Sequence, residues 1–373
     1  MAGALDGVRV ADFSRVLAGP YATMLLADLG AEVLKIERPP LGDDTRQWGP
    51  PYDIDGGSTY FDSVNRNKRS IALDLATPEG RADARRLIGT CDVVVENFVP
   101  GTMERFGLGY DELAAADPGL VYAAISGFGR EPEAAELPGY DLLVQAVGGL
   151  MSITGPDAEH PTKVGVALVD VMTGMHCAFG ILAALRHRER TGRGQRIDVS
   201  LLGSLLSGMV NQAGAFVGAG VVPRAMGNAH PSIAPYEVFD TADRALALAV
   251  GNDRQFRDCV DVLGLPGLAE DPRFATNPLR VQHRAALRPL LQSALAEHGA
   301  EHWSEVLTAV RVPCGPVNDM AEAFALATRL GLDPIALTDG IPTVAHPIRF
   351  SETPAEYLLR PPTVGDTSIG DLA

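Results

Sequence analysis

The chain has 373 residues, with 31 basic and 47 acidic side chains and a formal charge of −16 at pH 7. Hydrophobic residues make up 46% and charged residues 21%, a balance that excludes a disordered chain. A chain this acidic is a poor general binder of nucleic acid or of anionic membranes, so neither partner is expected. An anionic ligand would need a locally basic pocket.

The first third of the chain alternates strand and helix patterns. Thr77 is predicted to cap a helix that starts at Pro78. The alternation predicts an α/β fold with a largely parallel sheet, which binds ligands at the carboxyl ends of its strands. The predicted strands are residues 8–13, 32–37, 70–75, 92–96 and 120–126, and the predicted helices between them are residues 21–29 and 78–87.

The second half of the chain begins with a long predicted helix at 173–190 and a strand at 196–201. The uncharged segment 199–222 is long enough to span a bilayer, but Asn211 and Gln212 argue against insertion into lipid. They favour a helix buried in protein, either within this chain or against another subunit. From Tyr236 a hairpin pattern followed by helices predicts a smaller second domain.

Several familiar motifs are missing from the sequence. There is no G-x-G-x-x-G, Walker A loop, G-x-S-x-G elbow or H-E-x-x-H, which weakens dehydrogenase, NTPase, serine-hydrolase and zinc-protease readings. The cysteines are scattered and no signal peptide is visible, so reduced thiols, a cytoplasmic location and no metal site are expected. The cysteines are Cys91, Cys177, Cys259 and Cys314.

Polar and aromatic residues follow the predicted strands. Arg38 follows the second strand, where it could grip a phosphate or stack on adenine, or lie on the surface. Asn97 and Phe98 follow the fourth strand, and Arg105 comes shortly after. These three residues could contact a nucleotide or form an ordinary loop. Tyr140 could donate a hydrogen bond to a substrate carbonyl, or simply pack.

Asp170 lies just before the long predicted helix. It could be the N-cap of that helix. It could also be a nucleophile, because a helix N-terminus favours the ionised carboxylate and such a group can attack an activated carbonyl. The flexible run before the second domain contains Gly227 and Asn228, and Gly227 would let the backbone approach a ligand closely.

Taken together, these segments resemble the family III CoA-transferases, a group that includes formyl-CoA and carnitine CoA-transferases and the related α-methylacyl-CoA racemases. The resemblance runs from Val8 to about Phe350. The matching stretches, in shared order, are VRVADFSRVLAGP, LGAEVLKIERP, NRNKRSIALDL, DVVVENFVPG, VGVALVDVMTGMHCAFGILAAL, RTGRGQRIDVSLL and VPCGPVND.

This resemblance implies a large Rossmann-like domain, a smaller α+β domain and an interlocked dimer of two subunits joined like chain links. The large domain would comprise residues 1–197 with 340–373 and the small domain residues 231–310. Residues 198–230 and 311–339 would be linkers. The implied substrates are an acyl-CoA and a small carboxylic acid, with no permanently bound cofactor and no metal.

The resemblance also assigns site residues. It places the catalytic aspartate of the family at Asp170 and makes backbone N–H groups near Gly227 or Ala18 candidates for holding an oxyanion. The positions that would contact CoA are Leu17, Ala18, Arg38, Leu73, Asn97, Phe98, Arg105 and Tyr140.

The sequence departs from the formyl-CoA transferases at Leu17, where they carry a glutamine, and at Pro138, where they carry a lysine. Both departures argue against formyl-CoA or oxalate as substrate. Racemases carry a histidine at the position of Tyr140, and a tyrosine with a reference pKa of about 10 is a poor base near neutrality. Transfer is therefore favoured over racemisation, and a non-catalytic CoA-binding protein is the third alternative.

Overall fold

A computed structural model describes residues 3–372. Within these residues the chain forms two compact units. Unit 1 comprises the chain up to Leu150, Lys163–Val222 and the chain from Asp333 onward. Unit 2 comprises Met151–Thr162 and Pro223–Leu332.

The centre of unit 1 is a six-stranded sheet in the order β3-β2-β1-β4-β5-β6, with every neighbouring pair parallel. This is the strand order of a doubly wound fold, in which ligands bind beside the point where the order reverses. The prediction of an α/β fold with a parallel sheet is confirmed. The strands are β1 (Arg9–Asp12), β2 (Glu32–Glu37), β3 (Lys68–Ala72), β4 (Val93–Glu96), β5 (Val121–Ser126) and β6 (Arg196–Ser200).

Helices cover both faces of this sheet. The helices of unit 1 are α1 (Ala18–Asp28), α2 (Thr59–Asp62), α3 (Pro78–Ile88), α4 (Thr102–Arg105), α5 (Tyr110–Ala116), α6 (Pro132–Ala135), α7 (Asp141–Val147), α8 (Leu168–Thr191), α9 (Leu201–Gly208) and α10 (Val210–Ala219). Successive strand residues alternate between two apolar clusters, one on each face of the sheet. Val10 packs with α1, α8 and α9 on one face, and Ala11 packs with α3 and α5 on the other.

The predicted start of α3 is confirmed, because Thr77 Oγ1 accepts the N–H of Gly80 at 3.0 Å. Two other helix predictions are corrected. Helix α8 begins at Leu168 rather than at Thr173. The uncharged segment is not one helix, because α9 and α10 are bent by 84° where they meet.

Within residues 3–372, α8 is long and apolar enough to cross a membrane by length and composition, and the bent pair of α9 and α10 passes the same test when taken together. In this structure 44% of the most apolar window of α8 is buried within the protein. It packs against α1 and against β5 and β6. Its length and composition are therefore weak grounds for a membrane span.

Unit 2 has its own antiparallel sheet and its own apolar core. The predicted hairpin is confirmed as β7 (Tyr236–Asp240) paired with β8 (Ala245–Ala249). A third strand, β9 (Cys314–Pro316), pairs with β8. The helices are α11 (Asp253–Val262), α12 (Gly267–Glu270), α13 (Asn277–Gln282), α14 (Arg284–Leu295), α15 (Ala300–Ala309) and α16 (Met320–Arg329).

The two units divide the chain differently from the predicted domains. Residues 198–222, predicted as linker, belong to unit 1 because β6 joins its sheet and α9 packs on α8. Residues 311–332, also predicted as linker, belong to unit 2 because β9 completes its sheet. Pairing between distant strands carries no local signal in the sequence.

The C-terminal part of unit 1 contains a hairpin of β10 (Ile335–Thr338) and β11 (Ile341–Val344) and then an extended segment. This segment lies along β3, the edge strand of the large sheet. The N–H of Asn67 donates to the carbonyl of Leu359, and the N–H of Thr367 donates to the carbonyl of Ser70. These contacts cover a sheet edge that would otherwise be open to pairing with another chain.

Candidate active site

Asp170 lies in the first turn of α8 and is partly buried. The N-cap position belongs to Ala167, which has no side chain able to cap. The carboxylate of Asp141 supplies the cap instead, since its Oδ2 accepts the N–H of Val169 at 2.8 Å and that of Asp170 at 3.2 Å. The N-cap interpretation of Asp170 is therefore wrong. No hydrogen bond among residues 3–372 engages its carboxylate.

Asp141 is itself held in place by a neighbouring side chain. The Nε2 of Gln145, one turn later on α7, donates to Asp141 Oδ1 at 2.5 Å. The Oε1 of the same amide accepts the N–H of Val164 at 2.9 Å. Helix α7 and the segment that leads into α8 therefore fix the carboxylate that caps the helix of Asp170.

Electrostatics around Asp170 differ from the expectation based on the helix N-terminus alone. Burial, and then the nearby Asp141 carboxylate, raise the pKa of Asp170 to about 7. The helix end does not hold the ionised form because Asp141 already accepts its N–H groups. Burial and then Asp170 also raise the pKa of Tyr60, to about 12, so this phenol keeps its proton and can donate it in a hydrogen bond.

The surroundings of Asp170 are mainly apolar. The side chains of Leu17, Met24 and Val64 form a buried cluster, and Ala167 and Val171, which flank Asp170 on α8, pack against it. The start of α1 also lies close to α8. A Cβ on Gly174 would come within 2.6 Å of the carbonyl oxygen of Ala18, so only glycine allows this approach.

A second feature, a cavity of about 250 Å³, lies at the carboxyl ends of β1 to β4. It brings together three of the predicted CoA contacts, Arg38, Leu73 and Phe98. Its other lining residues include some that the sequence analysis missed, among them Phe13, Arg15, Leu75, Ala76 and Phe106. The position of Arg15 could have indicated a ligand contact, because it follows β1, the strand beside the point where the strand order reverses.

The cavity combines charged side chains of both signs with aromatic surface. Its acidic lining residues are Glu37, Asp43, Asp44 and Asp74. The guanidinium of Arg15 lies 5.2 Å from the centre of the Phe98 ring, and Arg38 is exposed at the rim. Lys35 lies on the floor, where its ammonium pairs with the Asp43 carboxylate at 2.9 Å. Burial alone would raise the pKa of Asp43, but Lys35 and the hydrogen bonds from Thr45 lower it to about 2.

The remaining predicted contacts do not line this cavity. Asn97 binds the backbone of Arg15, accepting from its N–H at 2.9 Å and donating to its carbonyl at 2.7 Å. Arg105 is exposed and donates to Thr102. Tyr140 is 63% exposed and precedes α7. Leu17 is buried in the cluster beside Asp170.

The backbone N–H groups that are candidates for binding an oxyanion differ in whether they already donate to another group. Gly227 and Asn228 lie in unit 2, where the N–H of Gly227 donates to the carbonyl of Gly155 at 3.0 Å and is already used. Ala18 and Gly19 open α1, and first-turn N–H groups have no partner within their own helix. The N–H groups of Ala18 and Gly19 are therefore the better candidates.

Among the residues that the structure describes, no group of three or more metal-ligating side chains is found. Asp253 is paired with the buried Arg280 at 2.7 Å. That ion pair gives it a structural role within unit 2.

Comparison with known proteins agrees with this architecture. The profile of CoA-transferase family III matches residues 5–368. The succinate–glutarate CoA-transferase of Agrobacterium fabrum is 43% identical over 97% of this chain and 93% of its own length. The acetyl-CoA:oxalate CoA-transferase of Acetobacter aceti is 41% identical over 94% of this chain and 90% of its own. A CaiB/BaiF family protein from Brucella suis superposes with a TM-score of 0.88 at 41% identity, covering 98% of this chain and 97% of that one.

The chain therefore belongs to CoA-transferase family III. The resemblance read from the sequence motifs is confirmed, and with it the class of enzyme. Both relatives are named for moving CoA between carboxylic acids, and both of their named acceptors carry two carboxyl groups.

Proposed function

We propose that this enzyme moves CoA from an acyl-CoA to a dicarboxylic acid through covalent intermediates on Asp170. The observation that supports this most directly is the shared loop between β1 and α1. Its residue Arg15 lines the cavity at the strand ends, and its residue Leu17 packs beside Asp170. One short loop therefore joins a pocket suited to a nucleotide phosphate with a carboxylate that has no hydrogen-bond partner among residues 3–372.

In the first half-reaction, the Asp170 carboxylate attacks the thioester carbonyl of the donor. The carbon–sulfur bond breaks, CoA leaves as its thiolate, and a mixed anhydride forms. The thiolate then attacks the aspartyl carbonyl of the anhydride, which releases the donor acid as carboxylate and leaves an Asp170–CoA thioester. Each step exchanges one anion for another, so no proton transfer is needed.

The second half-reaction reverses this order with the acceptor. Its carboxylate attacks the Asp170 thioester and expels CoA thiolate, and the thiolate attacks the acceptor carbonyl of the new anhydride. Asp170 is regenerated as carboxylate. The N–H groups of Ala18 and Gly19 and the hydroxyl of Tyr60 are the candidate donors to the oxyanions. The apolar cluster around Leu17 would exclude water, which would otherwise hydrolyse the anhydride.

The cavity at the strand ends would hold the adenosine and phosphate part of CoA. Arg15 and Arg38 supply positive charge on a protein whose overall charge is −16. The ring of Phe98 offers a flat apolar surface for adenine. These two arginines would have to meet the CoA phosphates locally, because the cavity lining also carries the carboxylates of Glu37, Asp43, Asp44 and Asp74.

Replacing Arg38 by alanine is expected to raise the KM for acyl-CoA about tenfold and to change kcat less, because the guanidinium binds a part of CoA that does not react. Steady-state kinetics with varied acyl-CoA would measure this. Arg257→Ala, on the exposed face of α11, is the matched control because it removes the same charge elsewhere. Equal KM values in the two variants would place CoA outside this cavity.

The acceptor class can be tested by supplying succinyl-CoA with oxalate, malonate, succinate labelled with ¹³C, glutarate and acetate. CoA exchange with the dicarboxylic acids is the expected result. Oxalate belongs in the panel because a relative uses it, although Leu17 and Pro138 argue against it here. Absence of transfer to every acid would reject the proposal. Exchange of the α-proton in deuterium oxide without transfer would indicate racemisation instead.

We further propose that two copies interlock in the cytoplasm. Helix α10 buries none of its residues within the described chain, and its exposed side chains include Phe216 and Val217, at 58% and 83% exposure. Phe179 on α8 is 73% exposed. Contiguous apolar surface of this kind is typical of an interface with another protein, which favours a partner subunit.

Sedimentation of the purified protein is expected to give the mass of two chains. If the copies interlock, subunits carrying two different tags should not exchange when the separate dimers are mixed below their melting temperature, because separation would require unfolding. Rapid exchange of subunits would indicate a dimer whose chains are not interlocked. A sedimentation mass of one chain would reject the dimer itself.

A further inference from the structure

Val16, in the loop between β1 and α1, has a φ of 69°. This is the left-handed region, which a β-branched residue rarely adopts. Such a conformation persists only where the surrounding structure imposes it, and it is found most often at functional sites. The loop therefore raises the question of what holds Val16 in place.

Side chains from two sides hold this loop. The Asp43 carboxylate accepts the N–H of Val16 at 3.2 and 3.3 Å to its two oxygens. On the other side, Asn97 binds both the N–H and the carbonyl of Arg15. Asp43 is in turn fixed by Lys35 at 2.9 Å and by the hydroxyl of Thr45 at 2.8 Å. The side chains of Asp43 and Lys35 are completely buried.

The held loop leads directly to Asp170. Val16 packs on the Leu17 cluster, and so do Ala167 and Val171 on either side of Asp170. Asp43 also lines the cavity at the strand ends. A single buried carboxylate thus contacts the floor of the cavity and sets the backbone that lies against the first turn of α8.

We propose that Asp43 is a positioning residue for the transfer reaction, holding Val16 in its left-handed conformation so that Leu17 and the first N–H groups of α1 face Asp170. The proposal rests on the function proposed above. It predicts that loss of the Asp43–Val16 contact lowers kcat, which depends on the geometry at Asp170, more than it raises the KM for acyl-CoA.

Two double variants isolate this contact. Lys35→Met with Asp43→Asn and Lys35→Met with Asp43→Leu both remove the ion pair as a whole, so neither leaves a buried charge unpaired. Asparagine keeps an oxygen that accepts the N–H of Val16, whereas leucine, of similar size, does not. We expect kcat of the leucine variant to be about tenfold below that of the asparagine variant, with similar KM values. Equal kcat values would overturn the proposal.

A glycine at position 16 provides a rescue test. Glycine adopts positive φ without restraint, so Val16→Gly should raise kcat in the leucine variant and should not raise it in the asparagine variant. No rise in the leucine variant would contradict the proposal. If the double variants do not fold, Val16→Gly and Val16→Pro can be compared in the otherwise natural enzyme. Proline lacks the N–H and cannot adopt φ near 69°, so kcat should be lower in the proline variant. Equal kcat in these two variants would also overturn it.

Hydrogen–deuterium exchange gives a readout that does not depend on activity. The peptide covering residues 13–19 should exchange faster in the leucine double variant than in the asparagine one. If the natural enzyme transferred no CoA to any acid, the proposed function would fail while this difference would still stand. Equal protection in both variants would refute the role of Asp43 whatever the activity.

Discussion

Replacing Asp170 by alanine is expected to abolish CoA transfer, with a loss of about a thousandfold or more, because the variant lacks the atom that forms both covalent intermediates. Incubating the natural enzyme with acyl-CoA and then with hydroxylamine should convert Asp170 to its hydroxamate. Borohydride should reduce the same thioester. Peptide mass spectrometry would locate either modification.

The matched control is Asp111→Asn, which changes an exposed carboxylate on α5. It should keep the natural rate and leave the trapping at Asp170 unaffected. Transfer by Asp170→Ala at a rate close to that of the control would reject a covalent role for this residue. Formation of a hydroxamate at a different carboxylate would assign the nucleophilic role to that residue instead.

The second large effect concerns pH. Because burial and the Asp141 carboxylate raise the pKa of Asp170 to about 7, only about half of the enzyme carries the nucleophilic carboxylate at pH 7. The kcat/KM for acyl-CoA should therefore rise as pH increases towards 7 and level off above it. Asp141→Asn removes the neighbouring charge and should shift this rise to lower pH. A profile that stays flat from pH 5 to 8 would contradict the assignment.

The same shift has a consequence for stability. The carboxyl of Asp170 has a pKa of 3.8 as its reference and about 7 in the folded protein. Between these values the folded state keeps a proton that the unfolded state has lost, so the stability from this group falls as pH rises from about 4 to 7. Above pH 7 the ionised Asp170 lowers the free energy of unfolding by its full amount, on the order of 4 kcal/mol.

Asp170→Asn should therefore stabilise the protein strongly at pH 8 and very little at pH 4. Urea unfolding of the variant and the natural protein at both values would measure the difference. A gain of equal size at the two pH values would mean that Asp170 is not protonated in the folded state near neutrality.

Much of the fold could be predicted from sequence because its signals are local. The EVLKIE pattern gave β2 its bounds at Glu32–Glu37, and Thr77-Pro78 marked the start of α3. Strand and helix alternation was enough to indicate a parallel sheet. The start of α8 was missed because its cap is not local: it comes from Asp141, on another helix.

The candidate site was predictable only in part for the same reason. Asp170, Arg38 and Phe98 follow from strand ends and from the motif order. The hydrogen bonds of the Asn97 amide to Arg15 could not be predicted, because they reach a backbone that is distant in sequence. The strain at Val16 has no sequence signal at all, since valine is an unexpected residue for positive φ.

The segment that lies along β3 has a consequence for synthesis of the chain. Strand β3 is complete once Ala72 has been made, but the residues that cover its edge, Leu359 and Thr367, are made nearly three hundred positions later. During that interval one edge of β3 lacks its hydrogen-bond partners, and such an open strand edge is prone to intermolecular association. Shielding by a chaperone on the ribosome should therefore matter more for this protein than its final stability would suggest.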